Sequence, residues 1–158
     1  MQRVTVICVG KLKEKFYIDA AAEYIKRLGR FCKLELVELP EQRLPEEPSP
    51  AEVERALAKE AEAIRGKIPP GSRVVALCIE GRMRSSEELA RMLRGWGPEK
   101  RLVFLIGSSY GLHPAIKSEA AAMLSMSPMT FPHHLARVML LEQIYRGFQI
   151  LEGGRYHK

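Results

Sequence analysis

The sequence lacks several features that would assign it to a protein class at once. No apolar run approaches the ~20 residues that a membrane-spanning helix needs, and the N-terminal run VTVICV is too short for the core of a signal peptide. The three cysteines have neither disulfide-framework nor metal-ligand spacing. There is no internal repeat and no low-complexity tract. These absences predict a single domain over residues 1–158, located in the reducing cytoplasm, with no membrane association and no bound metal.

Two phosphate-binding signatures are also missing. The segment IGSSYG (106–111) follows an apolar run, but serines follow Gly107 where G-x-G-x-x-G requires a second glycine, and Gly111 is not followed by Lys-Ser or Lys-Thr. This disfavours a Rossmann-like dinucleotide-binding protein, which remains a rival interpretation. A glycine at the end of a strand still lets a ligand approach the backbone, so the segment indicates either a ligand crevice or a plain tight turn.

Positive charge is what the composition has in excess. The chain holds 25 Lys and Arg against 19 Asp and Glu, for a net charge of +6 and a pI of about 9.4. Acidic side chains concentrate in one stretch, residues 34–62, so the remainder is more strongly basic. This balance favours a polyanionic partner such as nucleic acid. The following basic residues are candidate phosphate contacts, with solvated surface charge as the alternative: Lys11, Lys13, Lys15, Lys26, Arg27, Arg30, Arg82 and Arg84.

Strand-like and helix-like segments alternate along the chain. This alternation predicts the α/β class, with a mainly parallel sheet and helices on both faces. Pro50 is expected near the first position of a helix, and Ser85 with Glu88 forms a capping box for another. The nearly continuous apolar runs at 74–81 and 102–107 are typical of strands buried on both faces. The other predicted strands cover 3–10 and 33–40, with a short one at the start of 124–138. The other predicted helices cover 14–28, 86–94 and 135–151, and one more is expected to start at Pro114.

The last third of the chain carries the most distinctive pattern. LSMSPMTFPHH (124–134) is a stiff, neutral segment that suits an apolar ligand, unless it is a buried connection. The helix after it has apolar residues on nearly every side, which predicts burial all round, achieved in so small a domain by packing against a partner subunit. Buried charges must be paired, so we expect Glu142 to pair with Arg146, four residues later. Gly153 and Gly154 then release a tail. Its Tyr156 can stack on a base and its His157 has a titratable ring, a combination that proteins use to recognise an unpaired base. The alternative is a frayed tail without a function.

Several of these segments together resemble one family. GKLKEKF, IGSSYGLH, LSMSPMTFPHHLARVMLLEQIYRGFQI and the terminal YHK are similar to the ribosomal RNA large subunit methyltransferase H (RlmH) family of the SPOUT class, over essentially the whole chain. The resemblance implies a cytoplasmic homodimer with a C-terminal trefoil knot, which general topology rules would not predict. It implies S-adenosyl-L-methionine (SAM) as cofactor. The implied reaction is methyl transfer to N3 of the pseudouridine at position 1915 of 23S rRNA in the assembled 70S ribosome.

The resemblance also implies particular residues. The family has Gly-Gly where this chain has Gly107 and Ser108, so a non-catalytic, ribosome-associated RNA-binding protein of the same fold is the alternative. The implied cofactor residues are Leu77, Gly107, Met126, Ser127, Pro128, Met129, Thr130 and Phe131.

For the nucleoside side of the site we expect Glu142, Arg146, Tyr156 and His157. Tyr156 would stack on or orient the base, and His157 or Glu142 would take the N3 proton. Arg146 would hold Glu142 or an rRNA group. We expect the tail to reach the cofactor pocket of the other subunit, which would make the dimer obligatory.

Overall fold

Apolar, β-branched segments form five parallel strands at the centre of the computed structural model, which describes residues 1–97 and 99–158. Their order across the sheet is β2-β1-β4-β3-β5, and neighbouring strands pair in parallel throughout. The predicted α/β class with a parallel sheet is therefore confirmed. The strands are β1 (Gln2–Val9), β2 (Cys32–Leu39), β3 (Arg73–Met83), β4 (Leu102–Ile106) and β5 (Ala122–Ser125).

Helices cover both faces of this sheet, as parallel strands require. They are α1 (Lys15–Leu28), α2 (Pro50–Arg65), α3 (Ser86–Gly95), α4 (Pro114–Glu119) and α5 (His133–Leu151). The first core cluster joins Val4 and Phe104 of the sheet to α1, α3 and α5. The second joins Ile7 and Leu105, on the opposite face, to α2 and α4. No described helix is long and apolar enough to cross a membrane.

Local sequence signals place the helix starts. The backbone N–H of Glu88 donates to Ser85 Oγ at 3.1 Å, and the Ser85 N–H donates back to Glu88 Oε2 at 2.7 Å. This confirms the predicted capping box of α3. Ser49 caps α2 in the same way, with Pro50 in the first turn. Because these motifs act within four residues, they are visible without knowledge of the fold.

The prediction that β3 is buried on both faces is wrong for its second half. Only Val75 and Ala76 are buried, and β4 pairs with β3 only as far as Ala76. Leu77 and Arg82 both align with Leu124 of β5, so residues 78–81 bulge away from the sheet. The apolar stretch beyond Ala76 thus has no strand on its β4 side, and it lines a cleft instead of the core.

Within one chain α5 is only partly buried, and the predicted burial all round would require a partner subunit. Its buried residues face the sheet, α1 and α3, while Leu135, Val138 and Met139 remain partly exposed. One buried residue is charged: Arg137 is 1% exposed. It donates to the Gly10 carbonyl at 2.9 Å and to Glu38 Oε2 at 2.5 Å. The sequence analysis missed this residue, because no local pattern distinguishes it from a surface arginine.

Candidate functional site

A cleft of about 750 Å³ opens where the carboxyl ends of β3, β4 and β5 meet. Because carboxyl ends of parallel strands share one edge, three separate segments converge there. They are the bulge of β3, the glycine loop after β4 and the loop after β5. Seven of the predicted cofactor residues line the cleft: Leu77, Gly107, Met126, Ser127, Met129, Thr130 and Phe131. The eighth, Pro128, is exposed in the same loop but does not line the cleft.

The loop after β4 folds back tightly on itself. Ser108 and Gly111 form an antiparallel bridge, and the Gly111 N–H donates to the Ser108 carbonyl at 2.8 Å. A Cβ at position 107 would stand 2.3 Å from the Gly111 carbonyl oxygen. Gly111 itself has φ +81°, in the left-handed region that favours glycine. Both glycines therefore shape the wall of the cleft.

Ser108 does not need a glycine conformation. No described non-glycine residue has a positive φ, so the serine sits in this loop without backbone strain. Its side chain is buried, and its hydroxyl donates to Glu60 Oε1 at 2.9 Å. Glu60, 4% exposed, also accepts the Gln42 N–H at 2.9 Å. Burial raises the pKa of the Glu60 carboxyl, while these two hydrogen bonds oppose the rise.

Further carboxylates of the acidic stretch brace the same loop. Glu41 Oε1 accepts the Ser109 hydroxyl at 2.8 Å and the Ser109 N–H at 3.2 Å. His113 Nδ1 accepts the Ala115 N–H at 3.1 Å, so its Nε2 carries the hydrogen and donates to Glu54 at 2.6 Å. Sequence reasoning missed these residues, since it treated 34–62 only as a block of charge. The contacts span 48 to 68 positions, and no local motif signals them.

The loop after β5 is held by its own serines. The Ser125 hydroxyl donates to the Ser127 carbonyl at 3.1 Å, and the Met129 N–H donates to Ser127 Oγ at 3.0 Å. His133, at the start of α5, borders the cleft. Burial, and then the neighbouring His134, lower the pKa of His133, so its ring is neutral at neutral pH. Among the described residues, no three His, Cys, Asp or Glu are grouped to hold a metal ion.

The four residues expected on the nucleoside side come together. Arg146 donates to Glu142 Oε1 from Nε at 2.9 Å and from Nη2 at 2.6 Å, which confirms the predicted pair. The Tyr156 hydroxyl donates to the same oxygen at 3.1 Å. Arg146 Nη1 donates to His157 Nδ1 at 3.1 Å. We call these four residues the tail cluster.

The hydrogen bonds fix what each member of the tail cluster can do. Since a guanidinium only donates, His157 Nδ1 accepts, and Nε2 carries the hydrogen that it donates to Glu87 at 2.7 Å. Burial, with hydrogen bonds to Tyr24 and Glu142, raises the pKa of Tyr156 to about 12. Tyr156 is thus a hydrogen-bond donor at neutral pH, whereas Glu142 and His157 present lone pairs.

The tail cluster and the cleft are separate within one chain. No member of the cluster lines the cleft. The cluster lies beside α3, where His157 contacts Glu87, and the Tyr156 ring packs edge-on against Tyr145 of α5, with 4.8 Å between the ring centroids. The tail therefore folds back on its own α5, away from the cleft of the same protomer.

The candidate phosphate contacts lie mostly at the surface. Lys15 pairs with Asp19 and Arg27 with Glu23, each within α1. Arg27 also lies over the rings of Tyr24 and Tyr145. Five of the eight have exposed side chains and no ion pair among the described residues: Lys11, Lys13, Lys26, Arg30 and Arg82. Arg84 is half-buried.

Comparison with solved structures identifies the class of fold. A probable methylase family protein from Haemophilus influenzae Rd KW20 is similar, with 15% identity and a TM-score of 0.56, over 99% of this chain and 71% of that chain. A probable methyltransferase from Bordetella pertussis Tohama I has 18% identity and a TM-score of 0.58, over 93% of this chain and 96% of that chain. At such identities the likeness shows the fold alone, which this chain shares with those two proteins.

A family model described as "Predicted SPOUT methyltransferase" matches residues 2–157, so the chain belongs to this family, the RlmH family. It is therefore a methyltransferase of the SPOUT class. The cofactor of this class is S-adenosyl-L-methionine.

Proposed function

We propose that this protein methylates N3 of the pseudouridine at position 1915 of 23S rRNA in the assembled bacterial 70S ribosome. The observation that carries the proposal is the tail cluster, in a chain whose methyltransferase family is shown. Two residues of α5 and two of the tail assemble donors, lone pairs and an aromatic ring on one surface. That set suits a nucleobase whose ring nitrogen must lose a proton.

The cleft fits SAM by the chemistry of its walls. Leu77, Ile106 and Phe131 offer apolar surface for an adenine ring, while serine and threonine hydroxyls offer hydrogen bonds for a ribose. Because Gly107 and Gly111 have no side chains, the backbone of the glycine loop borders the same cavity directly. When bound, SAM supplies an electrophilic methyl group. The residues that would hold it are those of the glycine loop and of the loop after β5.

The tail cluster would prepare the base. An imide N–H is a poor nucleophile until its proton leaves, so the site must remove that proton or stabilise the resulting anion. Tyr156 keeps its proton at neutral pH, so it orients the base as a donor or by stacking. Glu142 or His157 accepts the proton. The Arg146 guanidinium, already bonded to both, stabilises negative charge there.

We also propose that the working unit is a homodimer with composite sites. The cleft and the tail cluster are separate within one chain, so a second copy is needed to place one beside the other. Large apolar side chains also remain exposed, including Phe16 at 66% and Met83 at 60%. A second copy that covered them would remove this apolar surface from water, which favours association. In each site, one protomer would supply the cofactor cleft and its partner the tail cluster.

Transfer of labelled methyl from SAM to 70S ribosomes tests the reaction. The ribosomes come from a strain that lacks this modification, and the modified nucleotide is located by mass spectrometry. We expect incorporation at the single pseudouridine with wild-type protein, and a loss of at least about tenfold with His157→Ala or Tyr156→Phe, the effect of one lost hydrogen bond. Tyr17→Phe, which removes a phenol outside the cleft and the tail cluster, is the control. Normal rates for both tail variants would refute the assignment of the tail cluster.

Mixed dimers test the composite site. Thr130→Trp fills the cleft at an exposed position, and His157→Ala disables the tail cluster. If sites are composite, a heterodimer of the two variants holds one intact site and regains up to about half of wild-type activity. No recovery in verified heterodimers would mean that each chain carries its whole site.

The alternative function, non-catalytic RNA binding, was suggested by Ser108. That reason does not hold in the structure, because the serine has no positive φ and its hydroxyl is bonded to Glu60. Ribosome binding without methyl transfer, in the assay above, is the result that would favour it.

A further inference from the structure

The cleft has one charged feature that the predicted cofactor residues leave out. Among the described residues that line the cleft, Glu80 is the acidic residue and Lys117 the basic one. The others are apolar, hydroxyl-bearing or glycine, apart from the neutral His133 and the thiol of Cys78. Lys117 lies on α4, and its ammonium donates to Glu80 Oε1. This hydrogen bond lowers the pKa of Glu80 below its ordinary value, so the Glu80 carboxyl is ionised at neutral pH.

The backbone is shaped to hold Glu80 at this place. Residues 78–81 leave the pairing with β5, and the strand resumes at Arg82. The return is possible because residue 81 is a glycine, where a Cβ would stand 2.7 Å from the Met123 backbone. The bulge therefore carries Glu80 out of the sheet and over the cleft, opposite Lys117.

SAM has one part that the other lining residues do not match. Its adenine and ribose fit apolar walls and hydroxyls, but its amino-acid end carries an ammonium and a carboxylate. Charged groups that leave water need charged or strongly polar partners. Lys117 matches the carboxylate and Glu80 matches the ammonium.

Breaking the ion pair between Glu80 and Lys117 to bind a ligand costs little free energy. The side chain of Glu80 is 54% exposed and that of Lys117 is 21% exposed. Ion pairs in such positions contribute little to stability, so replacing one with two ligand contacts costs little. Without ligand the two charges satisfy each other, and with ligand each gains a partner of opposite sign.

We infer that Glu80 and Lys117 form the subsite for the amino-acid end of the cofactor. This inference rests on the proposed cofactor cleft, and it assigns the two residues to binding rather than to methyl transfer. They determine which adenosine derivatives the cleft accepts.

Two ligands that differ only at this end test the inference. S-adenosylhomocysteine and 5′-methylthioadenosine share adenosine and a neutral thioether sulfur, but only the first has the amino-acid end. Calorimetry on the wild-type protein should show tighter binding of S-adenosylhomocysteine. Lys117→Met and Glu80→Gln should each weaken that binding by about tenfold or more, and change binding of 5′-methylthioadenosine by less than about twofold.

A second ion pair on the same helix is the matched control. Glu119 pairs with Arg65 at 2.8 Å, outside the cleft, and Glu119→Gln should leave both affinities unchanged. If Lys117→Met weakened the binding of both ligands equally, Lys117 would have only a structural role, and the subsite would be overturned. Equal wild-type affinities for the two ligands would also overturn it. If the wild type binds neither ligand, nor SAM, the proposed cofactor cleft itself fails, and the subsite with it.

Discussion

The buried hydrogen bond between Ser108 and Glu60 allows a sharp test of how the acidic stretch supports the glycine loop after β4. Ser108→Ala removes a hydroxyl that is 2.9 Å from a carboxylate oxygen with almost no access to water. A buried acceptor that loses its donor costs the desolvation of that group, about 1–3 kcal/mol. We therefore expect Ser108→Ala to lower the free energy of unfolding by about 2 kcal/mol.

Replacing the partner should remove about half of that cost. In Glu60→Gln the side chain is neutral and still accepts the Gln42 N–H, and its amide can donate to Ser108. Ser108→Ala should then cost about 1 kcal/mol, the contribution of a neutral hydrogen bond. The double-mutant cycle should accordingly show a coupling of about 1 kcal/mol between the two positions.

The raised pKa of Glu60 determines how its contribution to stability changes with pH. Because burial raises the pKa of Glu60 in the folded state, the folded protein holds this proton more tightly than the unfolded chain. The contribution of Glu60 to stability is complete below the ordinary pKa of a glutamate and is lost as pH rises through the raised value. Glu60→Gln should remove this decline and be no less stable than wild type at neutral pH.

Urea unfolding, followed by circular dichroism, measures these free energies. Ser109→Ala is the matched control, since its hydroxyl has a similar bond to Glu41, 2.8 Å long, but lies at an exposed position where water replaces it. It should cost less than about 0.5 kcal/mol. Equal costs for the two serine variants, or strictly additive Ser108 and Glu60 variants, would refute the idea that this buried bond supports the loop.

Three further predictions concern single positions. Gly107→Ala should abolish SAM binding, because its Cβ would stand 2.3 Å from a backbone oxygen in the cleft wall, whereas Gly95→Ala, with open space around it, should leave binding unchanged in calorimetry. Arg137→Met should lower the free energy of unfolding in urea by about 3 kcal/mol, since it removes the buried partner of Glu38. Iodoacetamide should alkylate Cys78 before the two buried thiols, and SAM should slow that reaction.

Each of these three predictions has an outcome that would contradict it. Normal SAM affinity in Gly107→Ala would mean that the loop reshapes without loss. For Arg137→Met, a change below about 1 kcal/mol would show that the ion pair and its carbonyl contact hold little of the fold together. Alkylation of Cys78 at the same rate with and without SAM would place the cofactor elsewhere.

The sequence predicts this structure best where short-range rules act. Ser85 with Glu88 placed the start of α3, and Pro50 placed the start of α2, because capping involves only neighbouring residues. The apolar run at 102–107 correctly predicted a fully buried strand. The run at 74–81 looked the same but is half exposed, because its neighbour β4 ends at Ile106 and leaves the second half unpaired on that side.

Family resemblance added residues that local patterns could not supply. Seven of the eight implied cofactor residues line one cleft, and the four of the tail cluster bond to one another. Neither set follows from periodicity, since Leu77, Gly107 and Met126 lie on three separate segments. Their cofactor and nucleoside roles stay predictions until the assays above are done.

By itself the sequence determined the α/β class and the approximate bounds of most elements, because burial periodicity and capping are local. The tertiary structure alone decided which distant groups meet. The order β2-β1-β4-β3-β5 brings Glu60 under Ser108 and Arg137 onto Gly10, and the bulge of β3 sets Glu80 against Lys117. Strand order depends on how whole elements pack, and no pattern within a single segment encodes it.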